Sequence, residues 1–70
     1  MERSLFTIQP AMQGWRLVDQ DTMDHWYPDQ LAAIIAADCM SFARYRATGR
    51  PTGVKVRMAC GDWVMVGMHG

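Results

Sequence analysis

Cysteine is scarce in this chain. Its 70 residues include two, Cys39 and Cys60. A secreted domain of this size is normally stapled by several disulfides, so two isolated cysteines favour a reducing compartment. The opening Met-Glu-Arg-Ser contains no apolar signal core. The longest strongly apolar helical run, Leu31 to Ala37, is far short of a membrane span. The expectation is a cytoplasmic protein without membrane contact.

An excess of one charge is also lacking, because seven acids and seven bases cancel. A general nucleic-acid binder needs surplus bases for phosphate contacts. The charges are nevertheless segregated along the chain. Asp19, Asp21, Asp24, Asp29 and Asp38 fall in residues 19 to 38 without a Lys or Arg, and Arg44, Arg46, Arg50, Lys55 and Arg57 fall in residues 44 to 57 without an acid. Either the two clusters pair within one molecule, or the basic one meets a phosphate or an acidic partner. Zero net charge, and bases not interleaved with exposed aromatics, favour internal pairing.

Motifs that carry chemistry are missing too. There is no Cys-x-x-Cys and no His-x-x-x-His, and His25 and His69 stand alone. Asp19, Asp21 and Asp24 lack the glycine and final glutamate of a calcium loop. No glycine-rich loop opens the helix, which starts at Tyr27-Pro28-Asp29 with an acid where an anion would bind. Gly49-Arg50-Pro51-Thr52-Gly53 follows the helix end, where the dipole opposes anions. No cofactor or metal is expected. Cys39 and Cys60 fall on predicted core faces, where cysteine behaves as a small hydrophobe rather than a nucleophile. Asp38 falls at the edge of the apolar arc of the helix, where a carboxylate needs a partner. No second catalytic group supports it, so no catalytic residue is assigned and an enzyme is not expected.

Apolar residues are abundant by contrast: half the chain, with seven Met and three Trp. A chain of this length hides roughly 60% of its unfolded surface, enough for one thin core. Leu5 to Ile8 reads as a strand that Pro10 limits to an edge or ends. Gln13-Gly14 signals a turn into a strand from Trp15 to Val18, and His25-Trp26-Tyr27 into a short third strand. The helix is expected from Pro28 to about Thr48, stopped by Gly49 with Pro51 beyond. Its predicted core stripe is Leu31, Ile35, Cys39, Phe42 and the stem of Arg46, flanked by Ala32, Ala36 and Ala43. Val54 to Cys60 alternates, Gly61-Asp62 suits a two-residue hairpin turn, and Trp63 to Met68 returns. In that register Cys60 faces Trp63, Met58 faces Met65 and Val56 faces Gly67, all on the core side. Leu31, Ile35, Phe42, Val56, Met58 and Trp63 form the expected core. Lys55, Arg57, Val64, Val66 and Met68 are left on the outer face.

The order of strand, Gly14-Trp15 strand, alanine-rich helix from Ala32 to Ala43, Val54-Lys55-Val56 and Gly61-Asp62 resembles a family of short bacterial proteins classed only as a domain of unknown function. The resemblance covers nearly the whole chain but rests on packing and turn residues. It implies the fold and transfers no catalytic residue.

The sequence thus specifies one α+β domain over residues 1 to 70, ordered β-β-(β)-α-β-β, with one helix on one face of a small, mostly antiparallel sheet. Its expected role is a non-enzymatic protein-interaction or self-associating accessory module. The partner, a second copy or another protein, would meet the outer sheet face at Lys55, Arg57, Val64, Val66 and Met68. A nucleic-acid-binding module using Arg16, Arg50, Lys55 and Arg57 is the runner-up.

Overall fold

The structure is a computed structural model that describes residues 4 to 19 and 23 to 70, with the backbone alone at Met23. Six elements follow in order: β1 (Ser4–Ala11), β2 (Gly14–Asp19), β3 (Met23–Tyr27), α1 (Gln30–Thr48), β4 (Thr52–Arg57) and β5 (Trp63–His69). They build one five-stranded sheet in the order β3-β2-β1-β4-β5, with α1 against one face. All neighbours are antiparallel except β1 and β4, which run parallel. This is the expected α+β fold, with a helical crossover returning the chain beside its first strand.

β1 is the central strand, not an edge. Pro10 is tolerated because β4 accompanies β1 only as far as Ile8, opposite Val56, so beyond it the strand has one neighbour, β2. The turn into β2 is Met12-Gln13, with Gln13 in the left-handed region at φ 58. Gly14 follows because nothing larger fits. A Cβ there would lie 2.5 Å from the Tyr27 carbonyl oxygen and 2.6 Å from the Trp26 ring. That ring is held across the site by an indole N–H donated to the Met12 carbonyl at 3.2 Å. Gly14→Ala should therefore destabilise the protein by about 1 to 3 kcal/mol, as overpacking does. A chemical-denaturation midpoint equal to wild type would show that β3 yields freely.

The helix begins at Gln30, two residues later than expected. Asp29 is its N-cap, accepting the Ala32 N–H at 2.7 Å, and Pro28 lies just outside. Gly49 ends it in the left-handed conformation at φ 72, its N–H donated to the Tyr45 carbonyl at 2.8 Å.

The helix face is the main correction. Ala33, Ala37 and Ser41 are buried, while Leu31, Ile35, Cys39, Phe42 and Arg46 face solvent. The sheet supplies the bulk of the core through Phe6, Ile8, Leu17, Val54 and Val56. Small residues at a spacing of four let the helix approach closely over those side chains. Ser41 donates its hydroxyl to Thr52 Oγ1 at 2.7 Å, and Thr52 returns its own to the Ser41 carbonyl at 2.8 Å, so this buried polar pair is satisfied. Of the expected core set, Val56 alone is buried; Met58 and Trp63 join the helix residues outside.

The second correction is the final hairpin. β4 stops at Arg57, and residues 58 to 62 form a five-residue loop. The Met58 N–H is donated to the Asp62 carbonyl at 2.7 Å and the Gly61 N–H to the Met58 carbonyl at 2.9 Å. Arg57 faces Trp63, Val56 faces Val64 and Lys55 faces Met65, but Val54 faces Gly67, so a bulge leaves Val66 as the extra residue. Cross-strand partners share a face, which puts Trp63 and Met65 on the outer side with Lys55 and Arg57. Val64 shares the helix side with Val56, and Met68, opposite Gly53, is outer as expected.

Candidate interaction surface

The outer sheet face has no layer over it among the described residues. From β3 to β5 it carries Trp26 and Asp24, Arg16 and Val18, Thr7 and Leu5, Lys55 and Arg57, then Trp63, Met65 and Met68. Arg16 holds Asp24 through a two-pronged ion pair, with Nε to Oδ1 at 3.0 Å and Nη2 on Oδ2. That hydrogen bond keeps the Asp24 carboxyl below the usual carboxylate range and the Arg16 guanidinium above its ordinary value. Both groups are solvated, so the pair adds little stability. At the far end the Lys55 ammonium lies 4.6 Å from the centre of the Trp63 ring and the Arg57 guanidinium 6.0 Å from it. The expectation that bases and exposed aromatics are not interleaved is overturned here. The bulge at Val66 brings the indole beside both bases.

The other side of β5 continues the exposed apolar surface. Val64 there and the unpaired bulge residue Val66 are about two-fifths exposed, and Leu31, Ile35 and Phe42 are 66%, 56% and 46% exposed on the outward side of α1. The helix flank next to β5 is fastened by His69 Nε2, 2.9 Å from Asp38 Oδ1, and by the His69 ring against Phe42 at 5.3 Å. Asp38 is thus half-exposed and satisfied by His69, not by a strand arginine. Arg46 lies over the same Phe42 ring at 5.8 Å.

Internal pairing of the two charge clusters is realised once among the described residues. Arg44 grips Asp19, with Nη1 donating to Oδ1 at 2.7 Å and Nη2 to Oδ2, and also donates to Ser4 Oγ at 3.2 Å. The guanidinium rests 4.7 Å over the Phe6 ring. The hydrogen bond to Asp19 raises the Arg44 pKa against the opposing effect of burial. Of the remaining acids, Asp24 goes to Arg16, Asp29 caps the helix and Asp38 meets His69. Asp21 lies outside the described residues. Lys55 and Arg57 have no acid beside them among the described residues, and they sit on the opposite sheet face from Asp19.

Both cysteines are exposed and unpaired, which corrects their placement in the core. Cys60 donates its thiol to Asp62 Oδ2 at 3.6 Å. Among the described residues no three His, Cys, Asp or Glu side chains gather in a metal-binding group, and no helix is long and apolar enough to cross a membrane. A shallow open hollow at the β4–β5 turn is lined by Gln9, Pro10, Arg57, Met58, Ala59 and Gly61. It contains one base and no nucleophile.

The chain thus belongs to the α+β class, with one helix backing a single mixed sheet whose other face is open among the described residues. Compared with family models, curated proteins and solved structures, it matches none. What it binds must be read from its own surfaces, of which the exposed face of α1 and the outer side of Trp63 and Met65 were missed from sequence. A small-residue stripe at Ala33, Ala37 and Ser41 is the signal that locates the first. Nothing in the residue pattern marks the bulge that creates the second.

Proposed function

We propose that this chain is a non-enzymatic, self-associating interaction module of the cytoplasm, pairing with a second copy through the edge of β5. The observation that carries the reading is the character of that edge. β5 is seven residues long, contains no Pro, Lys, Arg, Asp or Glu, and exposes large apolar side chains on both faces. Natural sheets guard an open edge with charge, proline or brevity. The opposite edge, β3, is guarded in that way: five residues, with Asp24 and His25 within it and Pro28 directly after.

Two β5 strands meeting antiparallel about a twofold axis would join the sheets and set both helices on the same side. Leu31, Ile35 and Phe42 then flank the seam and lose water together. A standard interface takes about 800 Å² from each partner, under a fifth of the 4613 Å² surface of this chain. Exposed thiols at Cys39 and Cys60 support a reducing setting, since either would cross-link copies under oxidising conditions.

Sedimentation across a concentration series tests the pairing. The mass should rise to that of two chains, and Val66→Lys should return it to one without loss of helix signal. A single-chain mass at every concentration up to millimolar would refute the pairing.

A further inference from the structure

We infer that the outer sheet face binds single-stranded nucleic acid, with Trp63 as a stacking platform and Lys55 and Arg57 as phosphate contacts. The inference concerns a different surface from the β5 edge and stands whether or not the chain pairs.

The first ground is where the charges lie. Zero net charge conceals a division between the two faces of the sheet. On the helix side are Asp19, Asp29 and Asp38, against Arg44 and Arg46. Among the described strand residues the outer face carries Arg16, Lys55 and Arg57 against Asp24, and Asp24 is held by Arg16. Lys55 and Arg57, which have no acid beside them among the described residues, therefore share one surface with two tryptophans.

The second ground is the kind of surface. Trp63 is 44% exposed and Trp26 53%, on strands four spacings apart, which is about 19 Å across the sheet. Single-stranded binders combine a basic track with aromatic rings on which bases stack, because every base has a flat face whatever its sequence. The indole of Trp63, bordered by Lys55 and Arg57, joins both elements at one point. Thr7 and Gln9 add hydrogen-bonding groups between the two tryptophans.

The third ground separates a single strand from a duplex. Reading a duplex takes an element that enters a groove. The one helix of this domain lies on the other face, its first turn capped by Asp29. A broad open sheet suits bases already unstacked.

Fluorescence anisotropy of a labelled single-stranded oligothymidylate, titrated with the full chain, tests the assignment. Anisotropy should rise to saturation. With two phosphate contacts, affinity should fall about sevenfold between 50 and 200 mM salt. Trp63→Ala should weaken binding about five- to 150-fold, the range for loss of one stacked base, while Trp63→Phe retains most of it. Lys55→Glu with Arg57→Glu should abolish binding with the helix signal and melting temperature unchanged, since both side chains lie on the surface.

Three results would overturn the inference. One is no anisotropy change with protein at millimolar concentration. Another is a duplex of equal length binding as tightly as the single strand. The last is polyglutamate displacing the oligonucleotide at equal charge, which would make the face a docking site for acidic protein. Because the readout is binding of a labelled strand, loss of self-association alone would leave it intact.

Discussion

Phe6→Ala should abolish cooperative folding, whereas Phe42→Ala should leave it nearly unchanged. Phe6 is 1% exposed at the centre of the core, between Val54 of β4 and Asp19 of β2, with Arg44 over its ring. Truncating a buried phenylalanine costs about 3 to 5 kcal/mol. A 70-residue domain has about 3.5 to 10 kcal/mol in total, so the loss is comparable to the whole. Phe42 is as large but 46% exposed, touching His69 and Arg46 at the surface. Its removal should cost under about 1 kcal/mol in the monomer. Thermal melts of both variants at low concentration, where pairing is absent, make the comparison. Equal melting temperatures would mean that the helix is rotated from the orientation described here.

The ion pair between Asp19 and Arg44 should have the next largest effect. The Asp19 side chain is 4% exposed and Arg44 35%. Removing one member of a fully buried pair costs about 3 to 5 kcal/mol, because the other charge is stranded. Arg44 can reach solvent, so Asp19→Ala should cost less, about 2 to 3 kcal/mol. Arg44→Ala should cost a similar amount and also lose the cover over Phe6. A double-mutant cycle reads the coupling directly. A coupling within error of zero would reduce the pair to one of the many surface pairs that contribute nothing.

Much of the architecture was legible in the sequence, for reasons that can be located in it. Gly49 and Pro51 ended the helix where it ends, and Gly14-Trp15 marked the second strand. Alternation from Val54 to Arg57 placed Lys55 and Arg57 on the outer face. The helix orientation was not legible from apolarity. Leu31, Ile35 and Phe42 form a better apolar stripe than Ala33, Ala37 and Ser41, and the domain buries the second. The sheet already supplies Phe6, Ile8, Leu17, Val54 and Val56, and a helix bearing more bulk would stand off from them. Large residues were then left outside, and they became the candidate surface.

The hairpin failed at one residue. A two-residue turn at Gly61-Asp62 predicts the correct face for Gly67 and Met68, because the register difference there is even. Past Val66 the bulge makes the difference odd, and Trp63, Val64 and Met65 exchange faces. The outer site depends on that extra residue, which no propensity signals. The charge pattern was read correctly as segregated but assigned to the wrong geometry. The sheet separates Lys55 and Arg57 from Asp19, Asp29 and Asp38, and among the described residues one pair, Asp19 with Arg44, joins the two clusters.

The small-residue face of α1 has a mechanical side. Ala33 and Ala37 let the helix backbone lie close to the sheet, while Ile34 and Met40 beside them pack against the core. The polar ties between helix and sheet begin at Asp38: Asp38 on His69, Ser41 on Thr52, Arg44 on Asp19. Among the described residues, the stretch from Asp29 to Ala37 is held by apolar packing and its N-cap. The helix is thus tied to the sheet by polar contacts toward its C-terminal end and by apolar packing toward its N-terminal end, where Leu31 and Ile35 stand exposed.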